Sequence, residues 1–156
     1  MASGAVAIGQ GTKTMLAQIV AEQLGRDMGN VVVVTGDTAA TELGLGTFNS
    51  RQAAVAGPSA HAAALAVRKK TLTAAAAMLN VGEQAIEIVG GHVKMRGDDA
   101  PRLALGEVAR AVAGLPGYFL PGGVSPGLSA TETVIINDMT YSNGSAVVEV
   151  SVDIET

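Results

Sequence analysis

Two glycine-led stretches hold the residues whose types and spacing could do chemistry. In Gly9-Gln10-Gly11-Thr12, glycines flank one polar residue where an apolar run, Ala5 to Ile8, gives way to helical spacing at Leu16, Ile19, Val20 and Leu24. Glycine-turn amides are uncovered by side chains, and first-turn N–H groups lack helical partners, so a phosphate or polar heterocycle could dock there. The second stretch, Gly44-Leu45-Gly46-Thr47-Phe48-Asn49-Ser50-Arg51-Gln52, brings polar side chains and bare backbone to another helix start. A tight turn, a serine N-cap and a surface arginine would account for either stretch alone. Two in one small domain point to a ligand with several polar groups. A dinucleotide fingerprint would need glycine where Thr14 stands, and no Gly-Lys-Ser/Thr closes a P-loop.

Other chemistries find no support. The 156 residues contain no cysteine, which excludes disulfides, thiolate metal sites, a cysteine nucleophile and cysteine-held iron–sulfur clusters. His61 and His92 have no second histidine at helical metal-site spacing, so no metal ligand is assigned. Asp98 and Asp99, near Arg96 and Pro101, suit a turn, Ser125 and Ser129 lack a nucleophile-elbow context, and Arg68-Lys69-Lys70 suits a solvated helix face. A net charge of −4 and four aromatic residues speak against a nucleic-acid partner. No apolar stretch is long enough for a membrane span and no basic leader precedes Ala5, so the chain reads as soluble and untargeted, and the lack of cysteine leans the localisation towards the cytoplasm.

These stretches require elements to position them. A strand at Ala5 to Ile8, a helix from Thr12 to Leu24 capped by Thr12 and stopped by Gly25, and a strand buried on both faces at Val31 to Val34 make a β-α-β unit. Residues 36–49 form an ordered loop of the length that usually carries function. Ser50 to Asn80 is a long Ala-rich helix, kinked or restarted at Pro58. Ala85 to Val89 and His92 to Met95 flank Gly90-Gly91 as a hairpin. A helix from Leu103 to Ala113 follows, then a glycine- and proline-rich connection over 117–127. Strands at Thr133 to Ile136 and Val148 to Ile154, joined through Tyr141 to Ser145, end the chain.

The strings GQGTKTMLAQIVAEQLG, VVVVTGDTAAT and LGLGTFNSRQAAVAG, with RLALGEVARA and TYSNGSAVVEVSVDIET further on, resemble the second molybdenum-cofactor-binding region of the molybdenum hydroxylases. That family includes xanthine dehydrogenase, aldehyde oxidase and carbon monoxide dehydrogenase. The resemblance implies that Gly9, Gln10 and Gly11 border a pterin, that Asn49, Ser50, Arg51 and Gln52 bind its phosphate and nucleotide end, and that Thr12 and Thr47 complete the set. It implies a molybdopterin cofactor, in the cytosine dinucleotide form, and oxidative hydroxylation of an aldehyde or heterocycle. The family's catalytic Gly-Glu motif lies beyond the point where this chain stops, and Glu107 matches a peripheral region instead. No catalytic residue is therefore assigned, and the isolated chain is expected to be inactive. Glu42, where the family tends to have proline, and Pro58 depart from the pattern.

The expectation is an α+β fold, with mixed sheets in two layers packed with helices, including the long Ala-rich one. Residues 1–97 form a cofactor-binding half and 98–156 a connecting helix and C-terminal strands. The expected partners are the remainder of a large subunit, an Fe–S subunit, an FAD subunit and a small-molecule substrate, in an oligomer. The competing reading is a non-catalytic assembly fragment or degenerate subunit whose sheet edges are completed by partner chains.

Overall fold

The computed structural model describes residues 1–44, 46–115, 120, 124–137, 140–141 and 144–156. Helix α1 spans Thr12–Leu24, the range its apolar spacing predicts, and buries Leu16, Ala17 and Ala21. It stops at Gly25, whose φ of 55° is left-handed. There the Arg26 N–H donates to Ala21 O and the Gly25 N–H to Glu22 O, the paired bonds of a Schellman ending. At the other end the cap is Gly11, not Thr12: glycine takes the turn at φ 80°, and Thr12 is carried into the first helical turn.

The β-α-β order survives in miniature. Strand β1 is Ala2–Ser3 and β2 is Val34–Thr35, paired in parallel on either side of α1. The expected strand over 5–8 does not form, and Val31 to Val33 stay outside β2. Val32 is 74% exposed and Val34 also faces solvent. A β-branched run asks for layers on both faces, and a two-residue parallel pair supplies neither.

Helix α2, Gln52–Leu79, continues through Pro58 without a restart. Its buried positions, Gly57, Ala60, Ala64, Thr71 and Ala74 to Ala76, form a stripe of small residues at helical spacing. Along this stripe α1 approaches closely: a Cβ on Gly57 would lie 3.5 Å from Ile19 Cδ1. The Arg68 guanidinium also donates to Gln23 O in the last turn of α1, at 2.6 Å. That turn's orphan carbonyls face outward, so a cation there is favourable.

The C-terminal half of α2 covers an antiparallel sheet of β3 (Ile86–Val89), β4 (His92–Met95) and β5 (Pro101–Ala104). The hairpin turns at Gly90-Gly91 with φ of 58° and 76°, as its sequence predicts. β5 was not expected: its residues read as a turn followed by the start of a helix. Pro101 opens this edge strand, where its missing N–H costs no ladder bond, and a register shift lies between Val93 and Lys94. Helix α3 consequently runs from Leu105 to Ala111, two residues shorter at each end than expected. Ile86, Ile88, Val93, Val108 and Val112 form the core with Ala74 to Ala76.

The C-terminal strands are not formed either. Residues 133–136 and 148–154 have no ladder partner among the described residues, and Val147, Val148, Val150, Val152 and Ile154 are all exposed. The Val134 N–H donates to Ser59 Oγ on α2 at 3.3 Å. Residues 116–119, 121–123, 138–139 and 142–143, with much of the expected connection and final turn, lie outside the described residues. The architecture is α+β, as expected.

Candidate functional site

Both glycine-led stretches end at the N-terminus of a helix, and neither helix has a side-chain cap. Gly9 (φ 105°) and Gly11 (φ 80°) adopt backbone conformations that L side chains resist. A Cβ built on either would find no heavy atom within 4 Å. Their backbone is therefore open to an approaching group. The first helical bond of α1 is Met15 N–H to Gly11 O, which leaves the N–H groups of residues 12–14 without intrahelical acceptors. Thr12 is 2% exposed, and its Oγ1 is buried with no hydrogen-bond partner among the described residues.

The second stretch turns on residues that are not glycine. Asn49 (φ 55°) and Ser50 (φ 50°) both have positive φ, and Arg51 returns to the right-handed region as the cap of α2. Each left-handed non-glycine costs about 1–2 kcal/mol, so their succession marks a turn the surroundings impose. A change of backbone hand at such a turn directs successive N–H groups to one side. The Arg51 guanidinium lies 3.9 Å from the centre of the Phe48 ring. Gly46, at φ 68°, also has open space where a Cβ would be.

Side-chain amides join the two stretches. Gln10 Nε2 donates to Val6 O at 3.1 Å and to Thr47 Oγ1 at 3.3 Å, while Gln10 Oε1 accepts from the Ile8 N–H at 2.7 Å. Gln52 Nε2 donates to Gly46 O at 2.6 Å and to Thr47 Oγ1 at 2.9 Å. Thr47 Oγ1 itself donates to Val6 O. Residues 9–12 and 46–52 are thus neighbours, although some 35 residues separate them in the chain.

Of the nine residues singled out in the sequence, Gly9, Gln10 and Gly11 are exposed, and Thr12 is buried beneath them. Asn49 and Ser50 are exposed, and Thr47, Arg51 and Gln52 half-buried. Sequence reasoning missed Gly4, and it read Gly44 as bare backbone open to a ligand, whereas Gly44 packs against Gly4. A Cβ on Gly4 would fall on the Leu43 carbonyl, and one on Gly44 would lie 2.9 Å from Gly4 O. This backbone crossing seats the 36–49 loop against the start of the chain. A hollow of about 620 Å³ lies elsewhere, between the C-terminal end of α1 and the β3–β4 turn, and none of the nine residues lines it. Two carboxyls among the described residues, neither of them one of the nine, are held below their usual range: Asp98, by the Ala100 N–H and then Arg102, and Asp153, by the Glu155 N–H and then Thr156. No metal-binding group of three or more His, Asp or Glu occurs among the described residues. No helix there is long and apolar enough to cross a membrane.

The profile of the molybdopterin cofactor-binding domain matches residues 1–156. The chain belongs to this family. It is 35% identical over 154 residues to the 6-hydroxypseudooxynicotine dehydrogenase complex subunit gamma of Paenarthrobacter nicotinovorans, covering 99% of this chain and 19% of that protein. It is 33% identical over 156 residues to a putative xanthine dehydrogenase molybdenum-binding subunit of Escherichia coli (strain K12), covering 97% of this chain and 20% of that one. The fold of this molybdopterin-binding domain is similar to reconstituted CO dehydrogenase from Oligotropha carboxidovorans, with a TM-score of 0.76 and 31% identity over 90% of this chain and 17% of that chain. The chain thus spans about a fifth of the length of these relatives.

Proposed function

We propose that this domain anchors the anionic end of a molybdopterin, in its cytosine dinucleotide form, within the large subunit of a molybdenum hydroxylase. The observation that carries the reading is the joining of two uncapped, glycine-led helix starts into one surface through Thr47. The residues fit such a group: open backbone at Gly9, Gly11 and Gly46 leaves an approach path, and the buried Thr12 Oγ1 has no partner among the described residues. Backbone N–H groups at 9–12 would hold the pterin side, and Asn49, Ser50, Arg51 and the backbone N–H of Gln52 the phosphates and nucleotide. The partial positive charge of two helix N-termini favours an anion there. When bound, the cofactor supplies two-electron oxidation of a small aldehyde or heterocycle, with electrons leaving to Fe–S and FAD subunits.

The test is composition. The complete protein, purified from a host that makes the cofactor, should contain molybdenum, pterin and cytidine nucleotide in equal amounts. A complete protein free of pterin would contradict the reading. A second reading, an assembly surface, is favoured by the exposed apolar alternation at 147–154. In that case the tail would pair with the rest of the large subunit whether or not cofactor is loaded.

A further inference from the structure

The valencies around Thr47 carry a division of labour inside the proposed site. Backbone Ile8 N–H can only donate, so Gln10 must turn Oε1 towards it and Nε2 towards Val6 O, which can only accept. The Gly46 carbonyl likewise requires Nε2 of Gln52. Both amides then present N–H to Thr47 Oγ1, whose own hydrogen goes to the Val6 carbonyl. A hydroxyl has one hydrogen and two lone pairs, and this one uses all three. Each Nε2 also has both of its hydrogens engaged. We infer that Thr47 is a positioning residue, a latch that holds the turn at 9–11 against the turn at 46–52, and does not itself touch the cofactor.

This inference rests on the cofactor reading for its purpose but not for its geometry. It leaves the ligand the backbone N–H groups and the residues 49–51 as donors, because a bond donated to the cofactor by Thr47 Oγ1 or by either glutamine Nε2 would break one inside the protein. The latch also couples distant parts of the chain, so a change at position 10 should be felt at 46–52.

The experiment compares amide exchange in the complete protein, made in a host unable to synthesise pterin, with pterin content of the same variants made in a host that can. Thr47→Val should raise exchange at both 8–12 and 46–52 by roughly five- to tenfold, the effect of losing one or two net hydrogen bonds. It should also lower pterin content, and Thr47→Ser should restore both. Gln10→Met, similar in shape without the amide, should loosen 46–52, and it decides the matter if Thr47→Val does not fold. Lower pterin content with unchanged exchange would make Thr47 a direct contact and overturn the latch. Unchanged exchange in Gln10→Met would overturn it as well. If wild-type protein carries no pterin while the exchange pattern holds, the latch stands and the cofactor reading falls.

Discussion

Gly11 and Gly25 bracket α1 with the same backbone hand and opposite surroundings. A Cβ at Gly11 meets open space, while one at Gly25 would lie 2.9 Å from Ile88 O. Gly11→Ala should therefore cost about 1 kcal/mol, the left-handed penalty alone, and Gly25→Ala about 2 kcal/mol or more because the hairpin must also move. Thermal unfolding of the two variants checks this, and equal losses would contradict it. The sequence made Gly25 legible as a helix stop, because a positive φ at that place is a local requirement. The cap at the other end was misplaced onto Thr12: residue type favours threonine there, but the glycine's backbone sets where the helix begins. The packing of Gly44 against Gly4 was illegible, since it exists only where two backbones cross.

Elements with their own local signals were readable and those defined by a partner were not. Helix α1 follows from its apolar spacing and its stop residue Gly25, α2 from its Ala-rich composition, and the hairpin from its glycine pair. Strand β5 carries no period of its own and exists because β4 offers an edge. The valine run carried a strong strand signal and yet none of it is buried: Val32 and Val34 are exposed and Val31 and Val33 half-buried. Ile86→Ala, in the closed core, should cost about 2–5 kcal/mol, whereas Val32→Ala should change stability by less than about 0.5 kcal/mol. A large loss at Val32, measured by denaturant unfolding, would show that the run is buried after all.

The accessible surface of the whole molecule is 10,287 Å², against roughly 7,000 Å² for a compact chain of this size. The C-terminal stretch is exposed along 147–154, where alternation was legible but no sheet among the described residues receives it. Replacing Val150 and Val152, 72% and 73% exposed, with lysine should leave the melting temperature of the 156-residue chain unchanged and reduce its self-association. A fall in melting temperature would mean that the tail packs on the body. Stretches 9–12 and 46–52 were both legible as glycine-led helix starts expected to converge on one ligand, and the link through Thr47 was not, because it depends on side chains reaching across the fold. Pterin content of Gly11→Val in the complete protein tests their joint role most directly. The valine branches would fill the open approach path, so the account predicts loss of most of the pterin with the core still folded. Full pterin content in that variant would contradict it.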